Sequence, residues 1–284
     1  MDKLPKRGGL RLCAKHSQDV LDTLPDVGWL HIEAEDYFGE GGSTHHTLQQ
    51  LAERYPLSMS CLGLSIGSAE SPSKGYLSKL RHLNTVYRPS HISTPLCWSR
   101  WQGQYFEEPL PLPLSPEASD QTCINIKTIQ NFLGRRILIQ NPALVLDTQG
   151  ALSLNEFFNE LIGNTGCGIL LDINYFYMSC VNRGLDPYRT LEDFPIAAIR
   201  EIHLSGHEFI SLNDEEVLLV KDHSVAPLKP VWQLFRHLVS LLPHPWPSMV
   251  NWQGNTSLAE ALEEMYKLND AMNLAQKSAE GVGG

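Results

Sequence analysis

The chain has 284 residues, a hydrophobic fraction of 42% and a formal charge of -10, which is long for an ordinary domain and normal for a single α/β barrel of about 250 residues. The acidic balance leaves no basic stripe to neutralise phosphates, so a nucleic-acid partner is not expected. No apolar run nears the ~20 residues of a membrane span, and Met1–Gly9 carries charge without an apolar stretch, so neither a membrane anchor nor a secretory signal is expected.

The predicted elements begin with strands at Leu10–Ala14 and Trp29–Glu35, followed by a helix over Thr44–Tyr55 with Leu48, Leu51 and Ala52 on one face. Apolar runs at Leu57–Leu64, His91–Trp98 and Ile137–Asn141 come next, and a proline-rich loop over Gln102–Asp120 separates the last two. Ser153–Ile162 reads as a helix with Ser153 as N-cap and Glu156 as its capping-box partner. Strands are expected at Gly168–Asn174, Ile199–Leu204 and Ser248–Trp252, with a long loop over Gly206–Val225. Amphipathic helices are expected over Val231–Leu242 and Ser257–Leu268, the second carrying a Glu263–Lys267 pair. Continuous Ile/Leu/Val runs suit strands buried on both faces. Eight of them with intervening helices predict a closed (β/α)8 TIM barrel over residues 1–275 and a flexible tail over 276–284; the alternative is an open doubly wound sheet, but no G-x-G-x-x-G follows the first strand.

The six cysteines form no C-x-x-C pair and mostly sit in apolar runs, so buried free thiols in a soluble cytoplasmic protein are expected. Gly39–Gly42 is a weak candidate for an anion-binding turn, better read as a flexible loop, and His45–His46 reads as a solvated pair.

Reactive groups of such barrels collect where the strands end. In order these ends offer Glu33 and Glu35, Ser60, Thr94 and Pro95, Gln140 and Asn141, Asp172 and Asn174, His203 and His207, then Asn251 and Gln253, with Asp222 and His223 in the loop after the seventh strand. Glu33 and Glu35 alternate with Ile32 and Ala34, which would turn both to one face toward the barrel mouth, either as an acid/base couple or as salt-bridge partners for a basic loop residue. Tyr175, Phe176, Tyr177, Trp98 and Trp101 are candidates for gripping a peptide at the rim or for core packing under the loops.

Glu33–Gly39, Gly63–Ser68, Leu96–Ser99, Gly166–Asn174, Glu201–His207 and Pro230–Trp232 together resemble the multinuclear non-heme iron-dependent oxidases, a TIM-barrel family, from Gly9 to about Leu268. The resemblance implies two or three irons, oxidative modification of ribosomally made precursor peptides, and a partner protein that helps recognise the peptide. It implies iron ligands at the strand ends: histidines on the third and fourth strands, a glutamate on the fifth, an aspartate on the sixth, histidine on the seventh, an Asp-x-His in the next loop and a glutamate on the eighth. Here those places hold Ser60, Pro95, Gln140 and Asn251, and the loop aspartate falls on Lys221. Asp172, Asn174, His203, His207 and His223 remain as residual metal candidates, with Glu35 also in place.

Amides and hydroxyls supply no negative charge, proline cannot ligate through its side chain, and a lysine adds a cation, so a full multi-iron cluster is not expected and the cofactor is none or a single iron. For His203 and His207 two readings stand: retained metal ligation, or hydrogen bonding to Asp172 or Asn174. His223 reads as a surface or lid residue rather than a ligand. The leading expectation is a degenerate, non-catalytic family member that binds a precursor peptide or supports a partner protein. The alternative is an enzyme with a reduced mono- or dinuclear iron site that modifies a peptide.

Overall fold

The computed structural model describes residues 4–39, 41–145, 150–212, 217–253 and 256–281. Its frame is a closed barrel of eight parallel strands, in chain order Gly8–Arg11, Leu30–Glu33, Leu57–Ser60, His91–Pro95, Leu138–Gln140, Gly168–Asp172, Ile199–Leu204 and Ser248–Val250. Each strand pairs with its chain neighbours and the first pairs with the eighth, so the TIM-barrel expectation holds. Several apolar runs overshoot their strands because the chain rolls into tight turns at the mouth: 3-10 turns at Ala34–Tyr37 and Leu62–Leu64, and the helix Ile173–Asn182 directly after the sixth strand.

The surrounding helices form where caps and apolar spacing coincide. Ser153 and Glu156 form the full capping box of the helix Leu154–Thr165, which ends on Gly166 with φ 64. In Lys229–Leu241 the buried Val231, Leu234, Phe235, Leu238 and Val239 make one stripe. The last helix, Leu258–Gly281, carries the Glu263–Lys267 pair at 3.2 Å and runs into the segment read as a tail. Fully buried Phe157, Phe158, Phe176 and Phe235 join the core between helices and barrel, each contributing about 1.5–3 kcal/mol by leaving water.

Both long loops contain hairpins. Trp98–Trp101 pairs antiparallel with Gln104–Leu110, and His207–Ser211 with Val217–Lys221. They follow the ends of the fourth and seventh strands, so both rise from the mouth side, and Lys221 Nζ of one reaches Glu108 Oε2 of the other at 2.9 Å.

The interior is layered. At the floor, Trp29, Leu4 and Met249 make a small apolar plug. Gly9 lies flat on the Trp29 ring, where a Cβ would stand 2.3 Å from it, so only glycine fits there. Above the plug the interior turns polar. Residues in register on parallel strands share a face, so Arg11, His31, Ser58 and His91 form one row inside the barrel. All six cysteines are free, five of them buried. No described helix is long and apolar enough to cross a membrane.

Candidate functional site

At the mouth, Asp172 ends the sixth strand and caps the following helix, accepting from the Tyr175 amide at 3.0 Å. Ser205 Oγ donates to both its oxygens at 3.2 and 3.1 Å, and Asn141 braces its backbone from both sides. Complete burial pushes the Asp172 carboxyl up to about 6, against the pull of these hydrogen bonds and of His203. Asn174 donates to Gly206 O at 2.6 Å and to Ser205 Oγ at 3.3 Å, and its oxygen is hydrogen-bonded to His207 Nδ1 at 2.5 Å. The His207 ring stacks on Tyr177, with centroids 5.8 Å apart, and burial lowers its pKa. His223 Nε2 is hydrogen-bonded to Tyr175 Oη at 2.9 Å, while its Nδ1 is buried without a partner. Burial, and then the charge of Arg11, holds the His223 imidazole below its ordinary pKa.

Gly206 is the hinge of this group. A Cβ there would lie 2.0 Å from Val225 O, a backbone atom that cannot step aside. Gly206→Ala is expected to cost at least about 2 kcal/mol and to release His207 from Asn174. A shift in the urea-unfolding midpoint reads the loss, and an unchanged midpoint would contradict it.

Several sequence expectations are corrected here. Glu33 and Glu35 do not share a face, because Glu35 sits in the 3-10 turn beyond the strand. Glu35 Oε1 accepts from Gly63 N at 2.9 Å and from the Tyr76 hydroxyl. Glu33 Oε1 binds Arg11 at 2.7 Å, a strand partner rather than a loop residue. Phe176 is core, whereas Trp101 is half exposed. His45 is not a solvated pair member: its Nδ1 bonds Tyr87 Oη at 2.7 Å and its Nε2 faces Gly39 O. Of the glycine-rich turn, residue 40 lies outside the described residues.

Arg11, which sequence reasoning passed over, governs the mouth. Its guanidinium lies between Glu33 and Asn251, with Nη1 3.5 Å from Asn251 Oδ1. Gln140 O accepts from Leu96 N, Pro95 stands in register with Gln140, and Ser60 Oγ meets His31 Nε2 at 3.2 Å. Lys221 sits opposite His207 in the hairpin.

One layer down lies a group that the strand-end reading also missed. Glu201, fully buried on the seventh strand, reaches across the barrel to the third: Ser58 Oγ donates to its two oxygens at 2.9 and 2.8 Å. His203 Nε2 meets Oε1 at 2.7 Å, and His91 Nδ1 meets Oε2 at 2.8 Å. His31 Nδ1 stands 3.7 Å from Oε1. Burial alone would raise the Glu201 pKa, but the surrounding imidazoles, His203 foremost, hold it well below the usual carboxylate range. Burial lowers that of His31. Thus His203 turns toward Glu201 rather than bonding Asp172 or Asn174, although it stands in register with Asp172.

A family model described as the RiPP precursor modification enzyme MbnB/TglH/ChrH matches residues 7–273. The chain belongs to this family. A relative in Bordetella parapertussis, a UPF0276 protein, is 35% identical over 260 residues, covering 91% of this chain and 90% of its own. Another from Psychromonas ingrahamii is 32% identical over 269 residues, 94% of each chain. Among solved structures, a xylose isomerase-like TIM barrel protein from Mycobacterium smegmatis in complex with magnesium superposes with TM-score 0.62 at 13% identity, over 92% of this chain and 88% of that one. L-ribulose 3-epimerase superposes at 0.59 and 11% identity over 98% of each chain. Likeness at that identity supports the fold alone.

The mouth does not fit a cluster of two or three irons. Adjacent cations need several carboxylates around them. Glu33 is paired with Arg11, whose guanidinium puts a fixed positive charge beside Asn251, and the ends of the third, fourth and fifth strands offer Ser60, Pro95 and Gln140 in place of imidazoles or carboxylates.

Proposed function

We propose that this member of the RiPP-modification family has given up the multi-iron site at its mouth and acts without catalysis, holding a precursor peptide or supporting a partner protein in peptide maturation, in the cytoplasm. The observation that carries this reading is Arg11 wedged between Glu33 and Asn251, where the family likeness calls for a carboxylate on iron. A guanidinium cannot be deprotonated in a protein, so a metal at that spot would face a like charge and compete with it for the Glu33 carboxylate.

The peptide part of the reading is supported by the two hairpins at the rim. Trp101, Tyr105 and Phe106 are exposed on one, and Phe209, Ile210 and Val217 on the other. Hairpin edges offer unpaired backbone groups to an added strand, and exposed aromatics grip alternate side chains.

Two measurements test this. Protein from iron-supplemented cells is analysed for metal, and precursor peptides encoded by neighbouring genes are titrated calorimetrically against wild type, Phe209→Ala and Tyr105→Ala. Protein that holds no ion dependent on Asp172 or His223 and binds one of these peptides, with affinity falling about tenfold in the variants, is the expected result. Two or more irons per chain, lost on Asp172→Asn or His223→Ala, would overturn the reading in favour of a reduced-site iron enzyme.

A further inference from the structure

We propose that the barrel interior beneath the mouth binds one divalent transition-metal ion of the zinc class, through His31 Nδ1, His203 Nε2 and the Glu201 carboxylate. Of the residues that the family likeness names, only His203 takes part.

The donor atoms are already gathered. Glu201 Oε1 lies 2.7 Å from His203 Nε2 and 3.7 Å from His31 Nδ1, and one ligand atom from each of the three lies within 4.8 Å of the others. Donors about a four-coordinate zinc at 2.0–2.1 Å stand roughly 3.3 Å apart. The two separations from Glu201 Oε1 bracket that value, so seating an ion between the carboxylate and each ring needs only small adjustments there. The two imidazoles stand perpendicular with centroids 4.9 Å apart, and both rise from strands of a closed barrel, which fixes them.

The second observation is an orphaned atom. His31 is 2% exposed, and its Nδ1 is buried without a hydrogen-bond partner. Its Nε2 pairs with Ser60 Oγ at 3.2 Å, and Ile32 O, 3.5 Å from that hydroxyl, is a second acceptor for the Ser60 proton. In the tautomer with the proton on Nε2, donated to Ser60, Nδ1 is a bare lone pair facing the Glu201 carboxylate 3.7 Å away, and this is the form that a metal selects. Lone pair against carboxylate is repulsive, and a cation between them turns both contacts attractive.

The supporting shell is complete as well. The second oxygen of Glu201 is held by His91 Nδ1 and Ser58 Oγ, each at 2.8 Å, the outer hydrogen bonding that orients a metal-binding carboxylate. Two imidazole nitrogens with one carboxylate favour zinc, ferrous iron or cobalt over calcium or magnesium, which prefer all-oxygen shells. Three protein ligands leave a coordination place for water.

The test is metal content by mass spectrometry on protein purified without chelator from zinc-supplemented cells, and on chain refolded with Co(II). About one ion per chain is expected, falling at least about tenfold in Glu201→Gln and His31→Ala and unchanged in Asp172→Asn and His223→Ala. X-ray absorption of zinc-loaded wild type needs no variant and is expected to report two imidazoles and a carboxylate. Metal below about a tenth of an ion per chain by both routes, or a zinc shell without imidazole, overturns the proposal and leaves the proposed function standing. Metal lost in Asp172→Asn or His223→Ala but kept in Glu201→Gln overturns it and moves the ion to the mouth.

Discussion

Replacing Glu201 by alanine is expected to cost roughly 3–5 kcal/mol of folding stability, the range for breaking a buried charge network by removing one partner. The carboxylate is fully buried and gathers Ser58, His91 and His203 on its two oxygens. Without it, two imidazoles and a hydroxyl lose their partner inside a barrel too narrow to admit bulk water, and each stranded group costs about 1–3 kcal/mol. A cavity adds to that cost. Glu201→Gln is expected to lose less than half as much, because the amide keeps the shape and an acceptor for Ser58. Urea-unfolding midpoints of the two variants measure the difference; an alanine variant within about 1 kcal/mol of wild type would show that the network does not hold the barrel interior.

The same network illustrates how far the sequence could be read. Eight apolar runs were enough for the closed barrel, because continuous Ile/Leu/Val stretches separated by helices leave few other ways to bury both strand faces. The hairpins were missed because the proline-rich and acidic loops look irregular, while antiparallel pairing depends on partners that only the fold aligns. Attention to strand ends also hid the interior. His31 and Glu33, Ser58 and Ser60, and Glu201 and His203 each stand two apart within apolar runs, the period that turns side chains to one face. Polar residues at that spacing in a parallel strand were the available signal for an inward polar layer. Which imidazole meets which oxygen was not legible, since it depends on the third and seventh strands facing each other across the barrel. Arg11 was overlooked for a related reason: a lone arginine at the end of a first strand reads as a solvated end, and only closure against the eighth strand brings it to Asn251.

Closure of the first strand on the eighth leads to a prediction about recovering the family's ligand set. Asn251→Glu restores the eighth-strand carboxylate, yet it is expected to recruit no iron beyond that held by wild type. Arg11 Nη1 already stands 3.5 Å from the Asn251 oxygen, with the arginine side chain only 14% exposed. The new carboxylate would be captured as a charge-assisted pair, stabilising the fold by on the order of 1–2 kcal/mol. Iron is expected to rise, by about one ion per chain or more, only when Asn251→Glu is combined with Ser60→His, Pro95→His, Gln140→Glu, Lys221→Asp and Arg11→Leu. The last change removes the cation that competes for the same oxygens. Metal analysis after anaerobic iron loading, alongside unfolding midpoints, separates the outcomes. If Asn251→Glu alone gains an ion, the guanidinium is not the obstacle and the missing carboxylate was; if the combined variant folds and gains none, the geometry of the mouth has diverged beyond its ligands.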